Sequence, residues 1–239
     1  KPGAQVVVLD ANAGIMAEKE SFSHAFSTLY ASNLSYRAGR VVRSVTAAPG
    51  QPEGSVVVDV VVTDALGQTV VMGSETYVAQ LLNVIPPHRA GPIVQTVGLA
   101  DATGFAPVDG RSFESTVVGK AGIHVIGDAS KTTLPKAGHV ANQEGKICAD
   151  AILRAFAGQP AYPTPTANSA CFSPISNTLA SWLTAVYQYQ QDPVTGTWKY
   201  VAMDQVSGAA GATEAQAAST GSFSKMNTWY KSLMAETYA

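Results

Sequence analysis

Charge is scarce in this sequence. Only 13% of its 239 residues are charged, against a usual share of roughly 25%. Lys and Arg number 15 and Asp and Glu 17, a formal charge of -2. With no basic excess to neutralise phosphates, the composition argues against a nucleic-acid partner. Long apolar runs are missing too. Residues 56–62 are broken by Asp59 and fall far short of the ~20 that a membrane helix needs, so membrane insertion is not expected. Two cysteines, Cys148 and Cys171, cannot make a disulfide scaffold, and no Cys-x-x-Cys or His-x-x-x-His spacing offers a metal site. Neither a collagen period, a heptad seam nor a solenoid repeat is present. What is there is apolar: 46% hydrophobic residues exclude an intrinsically disordered chain. Low charge with abundant Ala, Gly, Ser, Thr and Gln points to an exported protein.

The organisation reads as α/β. Residues 5–9 (QVVVL), closed by Asp10, predict a buried parallel strand. Residues 21–34 place Phe22, Phe26 and Leu29 at helical spacing, with Ser21 or Ser23 as cap. Residues 55–63 (SVVVDVVVT), a DALG turn and residues 68–72 predict a hairpin, and residues 77–85 a strand stopped by Pro86 and Pro87. Residues 91–119 form a long connection. Residues 122–130 (GIHVIGDAS) predict a strand ending at Gly127 and Asp128, followed by a helix over 136–157 with Val140, Ile147, Ala151 and Phe156 as its apolar stripe. The Pro-rich 159–168 segment is the clearest boundary. Beyond it come a hairpin (180–190 and 197–203), a flexible stretch (207–221) and a terminal helix with Phe223, Met226, Tyr230, Leu233 and Thr237 on one face. The expected domains are 1–90, 91–158 and 168–239.

The informative unit is strand, Gly127, Asp128, then helix. A carboxylate at the carboxyl end of a parallel strand points into the crevice where α/β sheets bind ligands, and it accepts hydrogen bonds from sugar or ribityl hydroxyls. Gly127 lets the backbone turn close to such a ligand. A helix start at Lys136, Ala137, Gly138 and His139 offers unpaired N–H groups and a partial positive charge, worth ~0.3–1 kcal/mol to an anion or electron-rich ring edge. The bland alternative is an acid that merely caps a loop. Cys171, among small residues after the Pro-rich segment, is either a reachable thiol or a small buried hydrophobe. Cys148, mid-helix, reads as core packing, with a Cys148–Cys171 disulfide as a minor alternative. His24 faces solvent or packs, His88 lines a surface with Arg89, His124 is a satisfied strand residue, and His139 has the reference pKa (~6.5) to tune a proton near a ligand. Asp10 reads as a locally satisfied acid before it reads as a ribose-binding one.

Residues 122–129 (GIHVIGDA) resemble the second FAD-binding motif of the flavoproteins with two dinucleotide-binding domains. The segments NVIPPHRAG (83–91), PVD (107–109), RSFE (111–114), KAGHVAN (136–142), NSACFS (168–173) and NTWY (227–230) resemble the flavoprotein subunit of flavocytochrome c sulfide dehydrogenase, over essentially the whole chain. The fold implied is a Rossmann-like portion of such a flavoprotein: a middle nicotinamide-type domain, the return to the FAD domain, and a small α+β C-terminal domain. The resemblance implies an oxidoreductase of the periplasm that oxidises sulfide to sulfur and passes electrons to a c-type haem on a cytochrome subunit. Asp128 would hold the FAD ribityl chain, Lys136–His139 would lie near the pyrimidine edge, and Cys171 would be half of a redox disulfide.

No G-x-G-x-x-G occurs in the sequence, so the loop that takes the FAD pyrophosphate is absent. The partner of Cys171 and a covalent flavin attachment would then lie upstream of Lys1. The expectation is therefore the later part of a longer chain, weak in FAD binding and inactive alone, with the N-terminal FAD-binding portion as a partner. Two alternatives stand beside this one. A sulfide:quinone reductase-like enzyme would need a membrane-facing terminal helix pair, whereas 222–239 carries only Lys225 and Lys231 as basic residues. A noncatalytic exported binding domain would leave Cys171 reduced and buried.

Overall fold

The computed structural model describes residues 3–47, 49–203 and 212–238. The chain divides at Pro86/Pro87 into two compact units. The Pro-rich 159–168 segment therefore lies within the second unit and does not separate two compact bodies. The architecture is mixed α/β, with parallel and antiparallel sheets.

In the first unit β1 (Val6–Leu9) pairs in parallel with β2 (Leu34–Arg37). The predicted strand forms, but Val6 and Val7 are exposed, because among the described residues this sheet has only two strands. The predicted 21–34 helix is shorter and starts earlier: α1 (Lys19–His24) runs into a single π turn over Ala25–Leu29. Neither Ser21 nor Ser23 caps it; both lie inside the helix, and Glu18 at φ 51 precedes it. Asp10 accepts from the Tyr36 hydroxyl (2.7 Å) and from the backbone and side chain of Asn12 (both 2.9 Å), so it is a locally satisfied acid.

An antiparallel meander follows, β3 (Arg40–Ala47), β4 (Gly54–Thr63) and β5 (Thr69–Ala79). Asp64 forms the β4–β5 turn, its carboxylate accepting from the amides of Leu66 and Gln68 at 2.8 Å. The sequence reading missed β3 and split β5. The latter is one strand because a register shift absorbs Met72: Val61 pairs with Val71 and Val60 with Gly73. Val56 and Val58 fill the buried centre.

The second unit opens with α2 (Pro92–Thr96) and β6 (Ala106–Pro107), which pairs in parallel with β7 (Ser130–Lys131). The strand expected over 122–130 does not form. Among the described residues the segment makes an isolated bridge from His124 to Glu114, its Val125 amide donates to the Phe113 carbonyl at 2.9 Å and its Gly122 amide to the Glu114 carboxylate at 2.6 Å, and Ser130 alone enters a ladder, as the start of β7. Gly127–Ala129 is a 3-10 turn. The next helix is as expected, α3 (Gly138–Phe156). The amide of Gly158 (φ +67) donates to Ala155 and that of Gln159 to Arg154, the paired bonds of a Schellman stop. Its buried stripe is Val140, Glu144, Cys148 and Ala151, and Phe156 faces solvent.

A four-stranded antiparallel sheet completes the unit. Central β9 (Ala180–Gln191) pairs with β8 (Thr166–Pro174) on one side and with β10 (Trp198–Ala202) and β11 (Ala212–Glu214) on the other. The β9–β10 hairpin was expected; β8, which carries Cys171, was not. The flexible stretch expected over 207–221 lies partly outside the described residues. Terminal α4 (Thr220–Tyr238) buries Ser222 and Leu233 and half-buries Phe223, Met226 and Trp229, while Tyr230 is exposed. The core joins α3 to the sheet through Phe113, Leu134, Val140, Cys148, Ala167 and Tyr200. Tyr200 donates to the Gly110 carbonyl at 2.7 Å, and Trp198 packs on Tyr189 while remaining half exposed.

Candidate functional site

The backbone arrives extended at Ile126 and reverses at Gly127, whose φ is +68. A side chain there would be strained by that φ, with its Cβ in contact with the Ala141 methyl at 3.4 Å. The turn is tied down from three directions. The Gly127 amide donates to the Glu144 carboxyl. The Ser130 hydroxyl donates to the Gly127 carbonyl at 2.9 Å. The Lys136 ammonium donates to the carbonyls of Asp128 and Ser130, both at 2.8 Å, and lies 4.3 Å from the Phe105 ring centre. The Asp128 side chain is left exposed.

α3 begins immediately beyond. Its N-cap is Ala137, extended and with no side-chain cap, so its leading N–H groups have no intrahelical acceptor. Gly127, Asp128, Lys136, Ala137, Ala141 and Glu144 line one narrow crevice. It encloses about 160 Å³ of empty space and has no room for a water-sized sphere. Gly138 is the first helical residue and has open space around its Cα.

His139 turns away from this crevice. Its Nδ1 accepts the Ala170 backbone N–H at 2.9 Å, which makes the imidazole a cap on β8, an edge strand. Its ring meets Trp229 edge-on at 6.0 Å, and Trp229 in turn contacts Phe172 at 5.4 Å. Burial holds the His139 imidazole below its ordinary pKa of 6.5. The Trp229 Nε1 is buried without a hydrogen-bond acceptor.

Cys171 adjoins the residue that His139 caps. It pairs with Leu183, two steps along from Ser169–Ala185 and four from Ala167–Tyr187, so all six side chains share one face of the sheet. Ala167 and Tyr187 pack into the core with α3, which puts Cys171 on the α3 side. Burial, and then the nearby Cys171 sulfur, raise the Tyr187 phenol pKa. Cys148 is buried and Cys171 half-buried, and burial also raises the Cys148 thiol. The structure thus gathers Gly127, Asp128, Lys136, Ala137 and Gly138 around the head of α3, and the His139–Ala170 bond connects that head to the strand bearing Cys171.

The sequence reading missed Glu144. It is 2% exposed, and burial pushes its carboxyl up from 4.5 to about 7, with Asp128 adding to the rise and Gly127, Lys136 and Ser130 opposing it. The signal was spacing: 144 falls between Val140 and Cys148 on the stripe, so a carboxyl had to be inside. His124 donates from Nδ1 to the Ser112 carbonyl at 2.9 Å and is a satisfied structural residue.

A wider depression of about 340 Å³ beside α3 is lined by Arg111, Lys146, Asp150, Tyr162 and Thr166. Its charges are already paired, Arg111 with Asp109, Lys146 with Glu236 and Asp150 with Arg154. Among the described residues no cluster of three or more His, Cys, Asp or Glu is placed to hold a metal, and no helix is long and apolar enough to cross a membrane.

No family model matches the sequence. Among solved structures, the chain is similar to a NAD-dependent persulfide reductase from A. fulgidus, with 13% identical residues and a TM-score of 0.41. The alignment covers 97% of this chain and 45% of that one, so the chain spans less than half of that protein's length.

Proposed function

We propose that this chain forms one wall of a flavin site in an oxidoreductase that oxidises sulfide, with Asp128 gripping the ribityl chain of FAD and Cys171 serving as one half of a redox disulfide. The observation that carries the reading is the His139–Ala170 bond at 2.9 Å, which brings the cysteine strand to the same helix end as the Gly127–Asp128 turn. The residues present fit such a group at its edge. An exposed carboxylate, a glycine at positive φ, uncapped helix amides and the small Ala137 and Gly138 allow close approach of a polyhydroxyl chain and an electron-rich ring edge. The crevice is too narrow to enclose a tricyclic ring, so the remaining walls come from elsewhere, in this reading from the N-terminal FAD-binding portion of the same protein.

Bound FAD supplies a two-electron acceptor. Cys171 supplies the sulfur chemistry. Hydrosulfide attacks one sulfur of the disulfide, the S–S bond breaks, one cysteine becomes a persulfide and the other leaves as thiolate. Transfer onward to a c-type haem on a cytochrome subunit, and a place in the periplasm, belong to the same proposal and rest on the sequence resemblance.

The test uses the full-length protein. Asp128→Ala removes charge-assisted hydrogen bonds and should weaken flavin retention by about tenfold or more, the equivalent of ~1.5–3 kcal/mol. Cys171→Ser should keep the flavin absorbance and lose sulfide turnover. Unchanged flavin retention in the first variant, or normal turnover in the second, overturns the assignment.

A further inference from the structure

The Glu144 side chain reaches from the second turn of α3 to the turn that presents Asp128. A carboxyl 2% exposed is costly to bury without partners, and here both partners are parts of that turn: the Gly127 amide and the Ser130 hydroxyl, the latter at 3.5 Å. Ser130 is itself 1% exposed and bonded back to the Gly127 carbonyl. Glu144, Gly127 and Ser130 therefore close a small buried ring of hydrogen bonds beneath Asp128, whose side chain points out of it. We propose that Glu144 is a positioning residue for the flavin-gripping turn, fixing Gly127–Ser130 so that Asp128 faces the ribityl chain. This rests on the flavin reading above.

Glu144 is also a group that changes charge in the working range of a protein. Facing it are Asp128 and Lys136 from the loop ahead of α3 and Tyr200 from β10. Asp128 disfavours its ionisation and Lys136 favours it, while burial outweighs both and brings its pKa to about 7. Ionised, it is the stronger acceptor for the Gly127 amide. The amide of Gly127 is thus a direct reporter of the Glu144 proton, and it needs no flavin to be read.

Two measurements test this. In the full chain, the amide proton resonance of Gly127 should move downfield with a midpoint near pH 7, and the movement should vanish in Glu144→Gln. A resonance that does not titrate, or one that titrates equally in Glu144→Gln, overturns the proposal whatever binds at Asp128. In the full-length protein, titrated with FAD, Glu144→Leu should weaken binding about as much as Asp128→Ala. Glu144→Gln, which keeps an acceptor oxygen for Gly127, should restore affinity to within a few-fold of the parent. If Asp128→Ala weakens FAD binding and Glu144→Leu does not, the positioning role is wrong and the flavin reading stands. If neither variant changes FAD binding, the flavin reading has failed and takes this inference with it.

Discussion

His139 and Glu144 lie on the same helix, and protons act on them with opposite sign. Burial holds His139 below 6.5 when folded, so the unfolded chain binds this proton first. The stability His139 contributes is fully present above pH 6.5 and is lost as the pH falls through its folded value. Glu144 is raised from 4.5 to about 7. The folded chain holds that proton longer, and its contribution is present below pH 4.5 and lost as the pH rises towards 7. Urea unfolding between pH 5 and 8 separates the two. His139→Gln should flatten the loss of stability on the acid side, and Glu144→Gln should flatten the decline towards neutrality. Slopes that match the parent in both variants would show that neither environment differs from water. Only part of this was legible beforehand. His139 stood out through its place in the KAGHVAN motif, but its attachment to an edge amide required a strand that the sequence did not announce.

At the scale of elements, legibility followed pattern strength. α3 combined a stripe at helical spacing with a Gly158 stop, and the β9–β10 hairpin combined alternation with a DPVTG turn. β8 reads TANSACFSP, small and polar, with no alternation to mark it; it is a strand because β9 pairs with it along nine residues. Residues 122–130 show the converse. Among the described residues their strand-like composition meets only an isolated bridge at His124 before the turn, and local turn chemistry at Gly127 prevails. The helix stop offers a clean measurement. Gly158 sits at φ +67 with open space where a Cβ would go, so Gly158→Ala costs only the left-handed conformation, ~1–2 kcal/mol. The midpoint of thermal unfolding should fall accordingly. An unchanged midpoint would mean that residue 158 is not held in the left-handed conformation in solution.

Over the whole molecule the scarcity of charge takes on a structural meaning. In the first unit the meander leaves Val41, Val71 and Val78 38%, 57% and 63% exposed. They pair with Asp59, Val61 and Ser55 of β4, residues of one parity, and so lie on one face. That face mixes these exposed valines with Asp59 and its ion-pair partner Arg43, and exposed valines on a sheet bind hydrophobic dyes. The folded chain should enhance anilinonaphthalene sulfonate fluorescence, and a Val71→Glu, Val78→Glu double variant should reduce the enhancement without lowering the denaturation midpoint. Equal fluorescence from both proteins would place the dye elsewhere.

The cap on β8 has one more consequence. An imidazole that accepts from a strand's outward amide acts as a stopper only while its Nδ1 is unprotonated. In mild acid the Ala170 amide loses that acceptor and the rim of the sheet opens to a strand from a second molecule. Self-association by strand exchange, starting at β8, is therefore the failure this protein should show on storage at low pH.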